Sequence, residues 1–274
     1  MKIDLAFKYK DLINHLNKII PFTPHVAIVL GSGLGDFAES VHVVKSISTT
    51  DLPGYPPSTV KGHSGKIIFA ESENKKLLLF KGRIHYYEGY IISECILPAF
   101  ISYKLGCSKI IFTNAAGGIN RNFSPGDLML ADSFNGINIK KELTDLIGIA
   151  SGEMKDNLNK FSSSELNNLI RQAAADENIT LKEGTYWFSK GPSYETPAEI
   201  NMMHKYSGDA VGMSTVHEII FAIALGMEAV SISCITNYAA GISPNRLSHE
   251  EVTETANRVK DTFERLINRI VSLV

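Results

Sequence analysis

Basic charge is in short supply in this sequence. Its 27 lysines and arginines are outnumbered by 29 aspartates and glutamates, a net charge of −2. That balance argues against a nucleic-acid partner, because nucleic-acid-binding domains carry a clear basic excess. Long apolar runs are missing too. The longest, IIFAIALGM at 219–227, is far too short to span a bilayer, so no membrane partner is expected. The opening residues MKIDLAFKYK are too polar for a signal peptide, and a cytoplasmic protein is expected. Cysteine is scarce: Cys95, Cys107 and Cys234 are odd in number and scattered. Neither a disulfide framework nor a metal site is indicated. No internal repeat and no linker divides the chain, so residues 1–274 read as a single domain.

What is present is alternation. Leu12, Ile13, Leu16, Ile19 and Ile20 form a helical stripe that Pro21 ends. KIIFA (66–70) and KLLLF (76–80) are short β-type runs joined by polar residues, which predicts a hairpin. A helix over 91–105, stopped by Gly106, leads into a buried strand at 109–113. Further strands are expected at 127–130, 185–189, 209–213 and 229–235, with helices between them and a last helix from about Ser248 to the end. This pattern predicts an α/β fold with a mixed, partly parallel sheet. Residues 132–165 have mixed polarity and read as a long, partly mobile loop.

The stretch VLGSGLGD (29–36) follows an apolar run, Val26 to Leu30. It begins like a dinucleotide-binding turn, but Asp36 stands where that fingerprint needs its third glycine. The chain beyond, TTDLPGYPPST, is poor strand material, so the second strand of that fold is lacking. A loop of backbone amides with a hydroxyl at Ser32 suits a bare anion such as phosphate. A plain tight turn is the alternative.

Glu199, Glu218 and Glu251 each stand three residues after a Thr or Ser at a helix start, and read as capping glutamates. Glu195 has no such role. In its Gly/Pro turn it is either solvated or facing a ligand, and the residues alone favour solvation. KGRIHYYEGY (81–90) places Arg83 and His85 on one side if strand geometry persists. They could clamp an oxyanion, the alternative being a surface ion pair with Glu88. TNAAGGIN (113–120) and ITNYAAGI (235–242) also begin where strands end. In open α/β sheets that rim is where ligands bind.

GSGLG, GHSG (62–65), GRIHYYEGY, TNAAGG, GPSYETPAE, GMSTVHE and ITNYAAG, in this order and spacing, resemble the trimeric class of purine nucleoside phosphorylases. The resemblance runs from about residue 25 to the end and thins between 132 and 165. It implies a distorted barrel of mixed sheet surrounded by helices, a homotrimer, and no cofactor beyond inorganic phosphate as co-substrate. It further implies that Ser32, Arg83, His85, the backbone at Ala115 and Ser214 hold phosphate, with His63 as a gate over it. Glu195 and Asn237 would hold the base, Tyr194 would pack on it, Met213 and Tyr87 would line the ribose, and His249 would reach the 5′-hydroxyl. His85, Glu195 and Asn237 are the residues expected to carry catalysis.

The implied chemistry is phosphorolysis: purine nucleoside and phosphate give free base and (deoxy)ribose 1-phosphate. Glu195 can accept from the N1 hydrogen of a 6-oxopurine but faces a lone pair in adenine, so inosine and guanosine are the expected substrates. The related methylthioadenosine phosphorylases carry an aspartate where Asn237 stands, which argues against that branch. A water-using nucleosidase would need no anion site. Two departures from the family pattern are visible. No phenylalanine in SFNGINIKKEL aligns with the one that enters a neighbouring subunit's site, and Phe161 better matches a different position. His217 stands where relatives commonly have proline, and reads as an exposed, tolerated substitution.

Overall fold

The apolar run Val26–Leu30 forms β1 and is buried at every position. A strand of that kind needs parallel neighbours and cover on both faces. It has them in the computed structural model, which describes residues 3–59, 65–159, 165–243 and 249–274. β4 (Lys75–Lys81) and β5 (Lys109–Gly118) flank it, both parallel. Ala27 and Val29 enter one core layer, while Val26, Ile28 and Leu30 enter the other. The first layer holds Leu5 of α1 (Leu5–Lys8), Leu12 and Leu16 of α2 (Lys10–Ile19), Ile92 of α3 (Ile92–Cys95), Phe100 of α4 (Leu97–Lys104) and Phe221 of α9 (Val216–Ala224). The second is covered by α7 (Glu165–Asp176) and α11 (Lys260–Leu273) through Ile170, Leu266 and Ile270.

The expected hairpin is β3 (Lys66–Ser72) with β4, antiparallel. Its turn places Glu73 and Asn74 at φ of 50° and 60°, the positive values a tight hairpin turn requires. β2 (His42–Ser48) adds an outer strand that the apolar runs do not announce; Ile47 is its one buried residue. The region of poor strand character after it forms a 3₁₀ turn at Thr49–Asp51, and the next strand is β3.

The nine-stranded sheet closes on itself on the far side of β5. β5 pairs with β9 (Glu228–Tyr238) in parallel and with β8 (Ala210–Gly212) antiparallel. β8 lies beside β7 (Leu181–Phe188), β7 beside β6 (Leu128–Asn135), and β6 returns to β9. The result is a mixed, partly parallel barrel that shares β5 with an open sheet.

Three expectations need correction. Residues 132–159 are not a long loop: β6 runs on to Asn135, and α5 (Lys140–Ile147) and α6 (Gly152–Asn159) follow. Leu143, Leu146 and Ile147 form a buried helical stripe in α5, and the polar residues between them face outward. TNAAGG is not a loop after a strand; it is the second half of β5. The final helix is two, α10 (His249–Arg258) and α11, interrupted at Val259.

Candidate active site

Because β1, β4, β5 and β9 are parallel, their C-terminal ends share one rim. A cleft of about 140 Å³ opens there, and it gathers Ser32, Arg83, His85, Ala115 and Ser214 with Tyr87, Tyr194, Glu195, Met213 and Asn237. Ten of the sequence-derived site residues therefore line one space. His63 lies outside the described residues, and His249 is placed only as the first residue of α10.

The opening loop is a tight turn, closed by the Leu34 N–H on the Gly31 carbonyl at 3.0 Å. Its glycines are there for close approach. A Cβ on Gly31 would stand 2.5 Å from the Thr113 carbonyl oxygen, and one on Gly33, at φ +74°, would stand 2.3 Å from the Ala256 Cβ. The loop is thus pressed between β5 and α10 with Ser32 at the cleft. The turn reading and the anion-loop reading describe the same residues.

Arg83 and His85 lie beyond the end of β4 and are 2% and 6% exposed, so neither belongs to a surface ion pair. Arg83 Nη1 donates to the Ser214 and Thr215 hydroxyls, both at 2.8 Å, and Nη2 donates to the Thr113 carbonyl at 2.7 Å. The Glu218 carboxylate lies 3.4 Å from Nη1. Glu218 does cap its helix, accepting from the Thr215 N–H at 3.1 Å, but it also balances the buried guanidinium. Burial pushes the Glu218 carboxyl above its ordinary range, and Arg83 pulls it back. Thr215 itself sits at φ 75°, ψ −52°, with the Val216 N–H on the Ser214 carbonyl at 2.8 Å. This is a positive-φ γ-turn, and in a β-branched residue it costs about 1–3 kcal/mol.

His85 Nδ1 faces Glu88 Oε1 at 3.2 Å, and the His85 N–H donates to the same oxygen at 2.7 Å. The other Glu88 oxygen takes the Thr59 N–H at 2.6 Å. Burial alone would raise the Glu88 carboxyl, but the bonds from His85 and Thr59 hold it down at about 2. His85 is shifted below its ordinary range, first by burial and then by the Arg83 charge, with Glu88 opposing. The imidazole stacks on Tyr87 at 4.8 Å.

On β9 the pairing with β5 shifts register between Ala116 and Gly117, which gives β9 one extra residue, Thr236. A bulge re-aims side chains, and here two consecutive residues, Thr236 and Asn237, both line the cleft. The Thr236 hydroxyl donates to Asn237 Oδ1 at 2.9 Å, and Asn237 Nδ2 donates to the Tyr238 carbonyl at 2.9 Å. Glu195 is half-buried, not solvated, and its Oε1 is enclosed without a hydrogen-bond partner among the described residues. It sits just before the capping box of α8 (Pro197–Lys205), where Glu199 caps Thr196 as the sequence predicts. The capping role expected of Glu251 depends on Ser248, outside the described residues.

His217 is not exposed. It is fully buried in the first turn of α9, edge-on to Phe188 at 5.5 Å, with neither ring nitrogen hydrogen-bonded among the described residues. The helix turns that residue inward, a direction the first-turn position alone does not reveal. Burial, and then the charges of Arg83 and His85, lower its pKa to about 3. Sequence reasoning also missed Asn114 and Thr215. Their polarity at the end of a buried strand and beside Ser214 was the available signal.

The Phosphorylase superfamily model matches residues 25–272. Purine nucleoside phosphorylase 1 of Geobacillus stearothermophilus is 41% identical over 260 residues, covering 93% of each chain. A crystal structure of Schistosoma mansoni purine nucleoside phosphorylase in complex with inosine superposes with a TM-score of 0.86 at 27% identity, over 100% of this chain and 99% of that one. Another structure of the Schistosoma mansoni enzyme, in complex with adenosine, gives a TM-score of 0.85 at 29% identity, over 97% and 96%. The chain belongs to the Phosphorylase superfamily and, within it, to the purine nucleoside phosphorylases.

Proposed function

We propose that the cleft holds inorganic phosphate through Ser32, Arg83, His85, the Ala115 backbone and Ser214, and a 6-oxopurine nucleoside through Glu195 and Asn237. Phosphate attacks the anomeric carbon as the bond to the purine nitrogen breaks. The electron pair of that bond leaves with the base, and a proton from solvent completes it. No covalent enzyme intermediate is needed, so the protein's contribution is positioning and charge stabilisation.

Asn237 suits the second task. Thr236 occupies its Oδ1 and the Tyr238 carbonyl takes one Nδ2 hydrogen, which leaves one amide hydrogen for the purine N7. Charge gathers there as the bond breaks, so this contact strengthens in the transition state. Tyr194 packs on the base, Met213 and Tyr87 line the ribose, and His249 and His63 are assigned to the 5′-hydroxyl and the phosphate gate by family likeness.

The observation that carries the reading is Glu195: a buried carboxylate oxygen with no partner among the described residues, in the same cleft as Asn237 and the Arg83–Ser214 pair. Such an oxygen calls for a donor, and N1–H of hypoxanthine or guanine supplies one where adenine does not. The test is base release from inosine with and without phosphate, with adenosine alongside. Phosphate-dependent release and near-inert adenosine are expected; phosphate-independent release would make the protein a nucleosidase. Because a related enzyme is crystallised with adenosine, turnover and not binding is the discriminating readout. A homotrimer of single-domain subunits, cytoplasmic, is part of the same proposal, and sedimentation velocity checks the subunit count.

A further inference from the structure

The hydroxyl of Ser214 has two hydrogen-bonded neighbours, and their chemistry fixes which way its proton points. Arg83 is a pure donor, so at 2.8 Å its Nη1 must donate to Ser214 Oγ. The Thr215 hydroxyl lies 3.1 Å from the same oxygen, and either could donate. Thr215 Oγ1 already accepts from Arg83 Nη1 at 2.8 Å and from Asn114 Nδ2 at 3.0 Å. A hydroxyl oxygen has two lone pairs, and both are taken. The Thr215 proton must therefore go to Ser214. Ser214 Oγ then accepts twice, from Arg83 and from Thr215, and its own proton can point only away from them. Ser214 lines the cleft, so that direction is the anion's.

We propose that Thr215 is a positioning residue whose hydroxyl, held in the positive-φ turn, fixes Ser214 as a hydrogen-bond donor to phosphate. The turn is what makes the chain of donors close. It sets the Thr215 side chain, 0% exposed, between Arg83, Asn114 and Ser214 while the Thr215 N–H is tied to Glu218. The Tyr186 hydroxyl also approaches Ser214, but its geometry is too poor for a hydrogen bond and it has no other partner among the described residues.

The inference rests on Ser214 being a phosphate ligand, so the experiment separates the two. Phosphate and inosine KM are measured for Ser214→Ala, Thr215→Val, Thr215→Ser and Tyr186→Phe. Ser214→Ala is expected to raise the phosphate KM; if it does not, the Ser214 assignment falls and the inference with it. Thr215→Val keeps the shape and loses the hydroxyl, and is expected to raise the phosphate KM about 10- to 100-fold. The inosine KM should stay within about twofold, and Thr215→Ser should restore the phosphate KM. A raised phosphate KM in Ser214→Ala alone would overturn the role of Thr215. So would equal changes in both KM values, or a serine variant that restores nothing, since either marks a merely structural residue. A Tyr186→Phe effect as large as that of Thr215→Val would also overturn it, by making Tyr186 the donor. If the valine variant does not fold, Thr215→Ala is judged against Thr215→Ser by the same criteria.

Discussion

The residues assigned to phosphate and those assigned to the base share one cleft but are held in different ways. Arg83, His85 and Ser214 are 2%, 6% and 6% exposed, and each is bonded into the protein itself. Tyr194 is 44% exposed, and the buried Glu195 oxygen has no partner among the described residues. The first set is organised in advance, so no reorganisation is spent when charge develops. In the second, Asn237 is bonded at both amide atoms, but one Nδ2 hydrogen and the Glu195 oxygen stay in reserve for the purine. Phosphate is the same in every turnover, whereas the base is the variable that must be told apart. Rigidity therefore sits where the ligand is constant, and unmet valence sits where discrimination is needed.

The largest test of that contrast is Asn237→Ala. Loss of the N7 donor should lower kcat about 100- to 1000-fold, with the phosphate KM unchanged in steady-state assays. An equal loss of phosphate affinity would merge the two sets and break the comparison. Glu195→Gln comes next: kcat/KM for inosine should fall roughly 10- to 100-fold, while the inosine-to-adenosine preference shrinks. Near wild-type rates would remove Glu195 from its role.

Beneath the phosphate residues, His217 gives a pH test of how dry that layer is. Its folded pKa of about 3 is depressed from 6.5 by burial. The unfolded chain takes up a proton below 6.5 that the folded one refuses. Its contribution is therefore fully present above pH 6.5 and is lost as pH falls toward 3. The slope is about 1.4 kcal/mol per pH unit. Urea unfolding between pH 4 and 7 should show His217→Leu losing less stability than the parent, with the remaining slope including His85. Equal slopes would mean that water reaches the His217 ring. The smallest effect belongs to the loop's outer side. Asp36 pairs with Lys260 at 2.9 Å with both side chains well exposed. Asp36→Ala should change stability by less than about 1 kcal/mol and leave activity alone.

Periodicity made the scaffold legible. β1, the β3–β4 hairpin and the stripe of α2 all follow from where apolar residues recur. β2 was not legible, because an outer strand with one buried residue carries little apolar signal. Helices α5 and α6 were hidden by polar residues that turned out to be their solvent faces. In the site, the residues at strand ends could be read because a parallel rim gathers them. Burial direction could not: His217 read as exposed, and the turn around Glu195 by itself favoured solvation, yet the fold buries the first and half-buries the second. The positive φ of Thr215 was equally invisible, since no glycine announces it.

One strand holds much of this together. β5 meets β1 over residues 109–112, β9 along its whole length and β8 at Gly117 and Gly118. Adding or removing one residue there would swap inward and outward side chains against three neighbours at once. Asn114 would then lose its bonds to Thr215 and Ser231, and Thr113 its bonds to Gly31 and Arg83. The length of this strand is thus as tightly constrained as the side chains it carries.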